Sequence, residues 1–312
     1  TLCFIAMIAS LYFIRDLNYS KEYLLQKANE YYSAEKYFRA ARYFAKAMKL
    51  NVSDPQVYKK YGNSLLKLGN YTLAIEYFKL AASIDFYDPD AYYFLGNALY
   101  RKALETNDKE AFIKAVEYIE KGIELNPDLE KLYFLAGLCC KRGGFYEKAR
   151  SFYNKALTSD KFNKANLYNL IGNTFEEEGN YKDAALYYEK AVSHDDSFVL
   201  AFCSKGDMFL KINDYESALK NYQKATEIDV NFIVPYIKMA NIYYYRNDFV
   251  KAAKQSLKAL KINPEDNNAN YILGMSYKQL GNGKNSLRYL KKAVLYGNDN
   301  AVKEIKRLNV SY

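Results

Sequence analysis

The chain reads as a long series of apolar stretches with helical spacing, separated by short polar breaks. Breaks such as Leu68-Gly69-Asn70 and Glu178-Gly179-Asn180 return at regular intervals and predict turns between paired helices. Glycine followed by asparagine recurs at Gly62-Asn63, Gly96-Asn97 and Gly172-Asn173, and the same phase continues through Gly206-Asp207 and Ala240-Asn241. The steps from 62 to 96, 172 to 206 and 206 to 240 are each 34 residues. Extending that phase divides residues 21–300 into eight units, beginning at 21, 55, 89, 130, 165, 199, 233 and 267. Seven surplus residues fall in the third unit near Arg101–Asp108, and one precedes Ala165. A fixed period of this size marks an array of stacked supersecondary units.

Counted from the start of each unit, the eighth place is always small: Ala28, Gly62, Gly96, Gly137, Gly172, Gly206, Ala240 and Gly274. The twentieth place (Ala40, Ala74, Ala115, Ala149, Ala184, Ala218, Ala252, Ser286) and the twenty-seventh (Ala47, Ala81, Gly122, Ala156, Ala191, Ala225, Ala259, Ala293) are small as well. Large residues stand between them. One column is Tyr31, Leu65, Leu99, Cys140, Phe175, Phe209, Tyr243 and Tyr277; another is Tyr37, Tyr71, Phe112, Tyr146, Tyr181, Tyr215 and Phe249, with Gly283 the exception. Small residues let two antiparallel helices approach closely, and the aromatic columns fill the space between successive pairs. One pair alone buries too little surface to be stable. Stacked pairs share an elongated core built from nearest-neighbour interfaces. Asp-Pro-Asp (88–90), Asn-Pro-Asp (126–128) and Asn-Pro-Glu (263–265) mark turns between units, where proline can open the next helix.

These columns resemble the tetratricopeptide repeat family, in Tyr92…Leu95-Gly96…Leu99 and in Tyr181…Ala184…Tyr188…Ala191. The departures are the absence of Trp, the insertion in the third unit and a worn eighth unit with Asn270, Gly283 and Ser286. The resemblance implies an all-α, right-handed superhelical solenoid of about eight helix hairpins, with residues 301–312 as a capping helix over the last apolar face. It also implies a concave face lined by the first helix of each pair, on which an extended peptide or a helix of a partner protein lies.

Helical spacing then selects the residues expected on that face. Next to the small eighth place stand Asn29, Asn63, Asn97, Leu138, Asn173, Asp207, Asn241 and Met275. A primary amide donates and accepts together, so a ladder of Asn can pair with the main chain of an extended peptide; the competing reading is that these residues bond neighbouring helices. Some family members hold a terminal carboxylate with Lys and Asn one turn apart and further Lys and Arg. Lys59, Asn63 and Lys131 match part of that pattern, but Phe94 and Leu135 occupy other places in it, leaving the clamp incomplete. Tyr93, Tyr100, Phe134, Tyr244 and Tyr245 either face the groove as apolar anchors or pack on the adjoining unit.

Composition narrows the chemistry. The 312 residues include 34 Tyr and 18 Phe, and the packing columns absorb many of them. The one histidine, His194, leaves little scope for zinc or imidazole catalysis. Its neighbours Ser193 and Asp195 are adjacent in sequence, whereas a triad needs groups that converge in space. No phosphate loop and no Gly-x-Ser-x-Gly motif occurs, and no cofactor or metal is expected. The run Glu176-Glu177-Glu178 reads as a solvated helix end. Cys139 and Cys140 read as buried apolar residues, because no Cys-x-x-Cys pair or second His completes a metal set. The repeats leave 20 residues before and 12 after in the given sequence, so no separate catalytic domain is expected within it.

Net charge is +9, and residues 278–307 hold eight basic side chains against Asp299 and Glu304. That end suits an acidic partner or an anionic surface, or is simply a solvated helix face. The remaining body is close to neutral, which disfavours nucleic acid.

Residues 1–14 (TLCFIAMIASLYFI) carry no charge and are shorter than the roughly 20 residues a bilayer crossing needs. With Thr first, the run reads as the remainder of a longer apolar stretch: a membrane anchor or uncleaved signal, a helix buried on the first repeat, or an apolar dimer contact. Missing amphipathic spacing favours the anchor. The expectation is therefore a non-enzymatic interaction scaffold, tethered to a membrane through this segment and capable of self-association. The alternatives are a cytoplasmic, co-chaperone-like adaptor and a helical-repeat RNA binder.

Overall fold

A computed structural model of the chain describes residues 19–307. Every regular element among the described residues is an α-helix. They fall into two compact units, one ending at Ser159 and one starting at Asp160. The first unit holds α1 (Lys21–Ser33), α2 (Tyr37–Met48), α3 (Pro55–Lys67), α4 (Tyr71–Ile84), α5 (Pro89–Thr106), α6 (Lys109–Leu125), α7 (Glu130–Gly143) and α8 (Tyr146–Ala156). The second holds α9 (Lys164–Glu177), α10 (Tyr181–His194), α11 (Val199–Lys211), α12 (Tyr215–Ile228), α13 (Ile233–Tyr245), α14 (Phe249–Ile262), α15 (Asn267–Gln279), α16 (Gly283–Leu295) and α17 (Asp299–Arg307). Within each unit successive helices pack as hairpins, and each hairpin packs on the next. The all-α fold class is present as read from the period.

The hairpin turns share one backbone device. The first helix ends, one residue turns left-handed, and the next residue starts the second helix. Gly69 (φ 78°) and Gly179 (φ 77°) occupy the left-handed place at no steric cost, and Asn107, Asn213 and Asn247 occupy it elsewhere. The following N–H then reaches back to a carbonyl near the helix end, from Asn70 to Leu65 and from Asn180 to Phe175, each at 2.9 Å. The side chains of Asn70 and Asn180 in turn accept from the Leu73 and Asp183 N–H groups. One short polar segment thus closes one helix and opens the next.

Each hairpin is held together by a size match. The small eighth place of the first helix faces a large, fully buried side chain on the second. Gly62 faces Phe78, Gly96 faces Ile119, Gly137 faces Tyr153, Gly172 faces Tyr188, Gly206 faces Tyr222 and Gly274 faces Leu290. A Cβ at Gly172 would stand 2.7 Å from the Tyr188 ring, closer than carbon atoms approach. Alanine takes the place of glycine twice: at Ala240 the corresponding second-helix residue is Ser256, fully buried and small, whereas at Ala28 it is Phe44, fully buried and large.

The structure adds three details to the sequence reading. Pro55 and Pro89 do open helices, but Pro127 and Pro264 lie in turns ahead of α7 and α15. The seven extra residues form no loop; they lengthen α5 to 18 residues and α6 to 17. Glu176 is half-buried and accepts from the Tyr188 hydroxyl at 2.6 Å, so the acidic run is only partly solvated. The final helix, α17, buries Ala301 and Ile305 against Leu290 and Ala293. Its Glu304 carboxylate is 5% exposed and is paired with Lys278 and, at 3.6 Å, with Arg307.

The expectation of membrane association is corrected: no helix among the described residues is long and apolar enough to cross a membrane. The run 1–14 that prompted it, with Cys3, lies outside the described residues.

Cys139, Cys140 and Cys203 are buried free thiols. Burial pushes Cys140 and Cys203 up to about 12, from an ordinary value of 9.0. Tyr61, 5% exposed, is likewise pushed up to about 12, first by burial and then by neighbouring Tyr77. The folded chain therefore holds these protons more tightly than the unfolded chain does. The associated stability is complete below the ordinary values and is lost as pH rises through the shifted ones.

Two outcomes are expected. Gly172→Ala should lower stability by about 1–3 kcal/mol in denaturant unfolding, because overpacking against Tyr188 outweighs the gain in helix propensity. The thermal midpoint should fall progressively as pH is raised from 9.0 towards about 12, as followed by circular dichroism.

Candidate functional site

The first helices turn their small and large columns towards the second helices, which leaves a separate stripe of each on the outer face. On α3 that stripe carries Asn63 and Lys67, one turn apart; on α5 it carries Tyr93, Asn97 and Arg101 at the same spacing. These five residues, with Leu66, Gly69, Tyr71 and Phe94, line an open cleft of about 610 Å³. Such a volume is in the range of small ligand sites.

The walls are ordered by their own contacts. Asn63 Nδ2 donates to the Tyr32 hydroxyl at 2.6 Å. Phe94 stacks on Phe78, with ring centroids 5.4 Å apart. Lys131 Nζ lies 4.3 Å from the centroid of the Tyr93 ring and 2.6 Å from the Asp90 carboxylate. Cation and ring together hold Tyr93 at the cleft wall. Lys67 and Arg101 are exposed and form no ion pair among the described residues; the Lys67 ammonium lies 5.9 Å from the Tyr37 ring centroid.

The cleft gathers Asn63, Tyr93 and Asn97 of the residues expected from the sequence, with Lys131 at its edge. The others stand elsewhere. Lys59 is turned into an ion pair with Asp88, both side chains nearly buried. Asn29 donates to the Leu25 carbonyl and accepts from Lys60 at 2.7 Å. Tyr100 packs on Phe112 at 5.8 Å and Phe134 on Tyr153 at 6.5 Å, inside their own hairpins. In the second unit, Asn173 Oδ1 lies 2.7 Å from the Tyr188 hydroxyl and shares its single hydrogen with Glu176, and Asp207 accepts from Tyr222 and from Lys238. Asn241 is half-buried on α13. Tyr244 meets Phe249 edge-on at 5.5 Å, beside Tyr245, which is 76% exposed. His194 stacks on Tyr168 at 5.0 Å, and the Ser193 hydroxyl donates away from it to the Lys190 carbonyl.

Lys67 and Arg101 were not singled out by the sequence reading. Each lies one turn beyond an expected Asn, so the i+4 spacing held the signal. The hydrogen bonds from core tyrosines to the Asn and Asp ladder left no such trace. They join second-helix residues to first-helix residues 15 positions earlier. Burial raises the Tyr188 hydroxyl far above its ordinary range, followed by its hydrogen bond to Glu176. Burial does the same for Tyr222, followed by its hydrogen bond to Asp207. Tyr153 is the counter-example: its hydroxyl is buried without a hydrogen-bond partner, in the hairpin where Leu138 stands in place of Asn.

Models of the tetratricopeptide repeat match residues 25–89, 130–163, 165–197, 206–244 and 237–301. The chain belongs to the tetratricopeptide repeat family. An uncharacterised protein of Methanocaldococcus jannaschii, MJ0572, is 36% identical over 70 residues, which span 22% of this chain and 81% of that relative. Among solved structures, the C-terminal part of a TPR repeat-containing protein from Cytophaga hutchinsonii is similar, with a TM-score of 0.64 at 15% identity, covering 78% of this chain and 97% of that one. The MamA fragment from Desulfovibrio magneticus has a TM-score of 0.50 at 20% identity, covering 57% of this chain and 96% of that one. At these identities the structural likeness concerns the fold alone.

Two conservative substitutions should separate a satisfied core hydroxyl from an orphaned one. Tyr222→Phe removes the bond to Asp207 and should destabilise by about 1–2 kcal/mol, whereas Tyr153→Phe should leave stability unchanged or raised, as read by urea unfolding.

Proposed function

We propose that the chain is a protein-interaction scaffold and that the cleft between α3 and α5 receives an extended segment of a partner protein. The observation that carries this reading is the convergence of Asn63, Asn97, Lys67 and Arg101 in one open cleft with an aromatic wall. Each contributes something different. The amides pair with peptide N–H and C=O groups whatever the side chains. Lys67 and Arg101 supply cations for a carboxylate, and Arg does so with two parallel donors. Tyr93 and Phe94 offer flat apolar surface for an anchoring side chain. The segment that fits is extended, carries at least one acidic group and presents one apolar anchor.

The family to which the chain belongs supports the same reading, because stacked hairpins present an elongated row of side chains rather than a closed pocket. The contacts within the walls support it as well. A wall held by Lys131–Asp90 and Phe94–Phe78 loses little side-chain freedom on binding.

The test is an array of short peptides probed with the full chain, followed by affinity measurement on the best binder. Asn97→Ala with Arg101→Ala, whose side chains form no hydrogen bond among the described residues, should weaken that binder by roughly tenfold or more while the helical circular dichroism stays the same. Unchanged affinity in the double variant would remove the cleft from the binding reaction.

A further inference from the structure

The basic end of the chain is sorted by the structure into spent and unspent charges. Lys278 and Arg307 share the one carboxylate of Glu304. Lys292, on α16, forms no ion pair among the described residues and faces α14 across a groove of about 700 Å³. On α14, Lys254, Leu257, Lys258 and Lys261 recur at i, i+3, i+4 and i+7, the spacing of a single helix stripe. All four line that groove, and Tyr289 and Leu280 contribute to its lining from the last hairpin. Leu257 is 38% exposed and Leu280 44%. No acidic side chain lines the groove, and Lys254, Lys258 and Lys261 have no ion-pair partner among the described residues. The Lys292 ammonium lies 5.8 Å from the Tyr289 ring centroid, and the Lys258 ammonium lies 5.6 Å from that of Tyr236.

An apolar floor rimmed by four cations with no internal counter-charge is matched by a partner of opposite pattern. We propose that this groove docks an amphipathic acidic segment of another protein, with its apolar side on Leu257 and Tyr289 and its carboxylates against Lys254, Lys258, Lys261 and Lys292. The stripe from Lys254 to Lys261 rises about 10 Å along α14, two turns of helix, so an occupant with carboxylates on successive turns aligns with it. The groove shape favours a rod-like segment over a lipid surface. A bilayer is flat and would meet the rim lysines while leaving the recessed floor uncovered. The surface is distinct from the α3–α5 cleft: most of its lining comes from the second helices α14 and α16, with Tyr277 from α15, it lies wholly in the second unit, and it uses no Asn ladder.

The experiment uses the full chain and a fluorescent peptide of about 14 residues, helical, with leucines on one face and glutamates flanking them. Anisotropy should report saturable binding that weakens as salt is raised. The exposed triple variant Lys254→Glu, Lys258→Glu and Lys261→Glu should lose roughly tenfold or more in affinity, and Leu257→Ser should lose several-fold. Asn97→Ala with Arg101→Ala should bind this peptide as the native chain does, which keeps the outcome separate from that for the α3–α5 cleft. Equal affinity in the triple variant, or for a peptide with every Glu changed to Gln, would overturn the proposal. So would phosphatidylserine vesicles that bind the chain and displace the peptide, which would mark the face as a lipid surface. Should the triple variant fail to fold, Lys258→Gln and the salt titration decide, and an affinity insensitive to both rejects the acidic-partner reading.

Discussion

A glycine facing an aromatic ring is the contact from which the rest of this molecule follows. With Gly172 under Tyr188 and Gly206 under Tyr222, two helix backbones approach until a hydrogen is all that separates one from a ring on the other. The ring fills the hairpin interior completely, with Tyr153, Tyr188, Tyr222, Phe44 and Phe78 fully buried. Close-packed interiors are sensitive to a void and to an added methyl, so the small place and the side chain facing it are matched in size, with Ala28 opposite Phe44 the one alanine that faces a ring. The pair Ala240 and Ser256 shows the same constraint solved with less volume on the second helix and slightly more on the first.

That contact has a chemical consequence at the surface. A tyrosine driven this deep carries its hydroxyl towards the first helix, where the residue following the glycine meets it. Asn173 and Asp207 accept these hydroxyls. Burying a phenol without a partner is unfavourable, and the polar residue beside the glycine removes the penalty. The Asn and Asp ladder therefore has two duties: it completes the core from outside, and it supplies polar atoms to the exposed stripe. In the first unit the balance shifts outwards. The side chains under Gly62 and Gly96 are Phe78 and Ile119, which have no hydroxyl to satisfy, and Asn63 and Asn97 line the cleft instead. The chemistry of the candidate site is thus set partly by whether the buried ring behind it is Tyr or Phe.

The two surfaces proposed for partners arise from different leftovers of the same packing. On the first helices, the stripe not used by the core holds amides, rings and the cations Lys67 and Arg101. On the second helices, the furrow between α14 and α16 keeps apolar floor exposed and ringed with lysine. Stacked hairpins generate both, because neighbouring helices of one kind leave a shallow trough that no further layer covers. Charge then distinguishes what each trough can accept.

The period, the small columns and the polar turns by themselves determined an all-α chain of paired helices, since helical spacing and residue volume are local properties readable from order alone. They placed Gly69 and Gly179 at the turns and named Asn63, Tyr93 and Asn97 among the residues expected on a concave face or bonded to neighbouring helices. Tertiary structure decided which of the named residues are spent on internal partners. Lys59 and Asp88 are 29 positions apart, and Tyr222 and Asp207 are 15. Those pairings depend on distances between helices that no window of sequence contains. It also decided that seven inserted residues continue two helices rather than form a loop, because α5 and α6 extend together and pack along their added length. The charge excess of the last tenth of the chain was visible as a count. Which of those charges are paired, as Lys278 is with Glu304, and which, like Lys292, join the unpaired Lys254, Lys258 and Lys261 of the preceding hairpin at one groove, was not, since ion pairing is a matter of proximity in space.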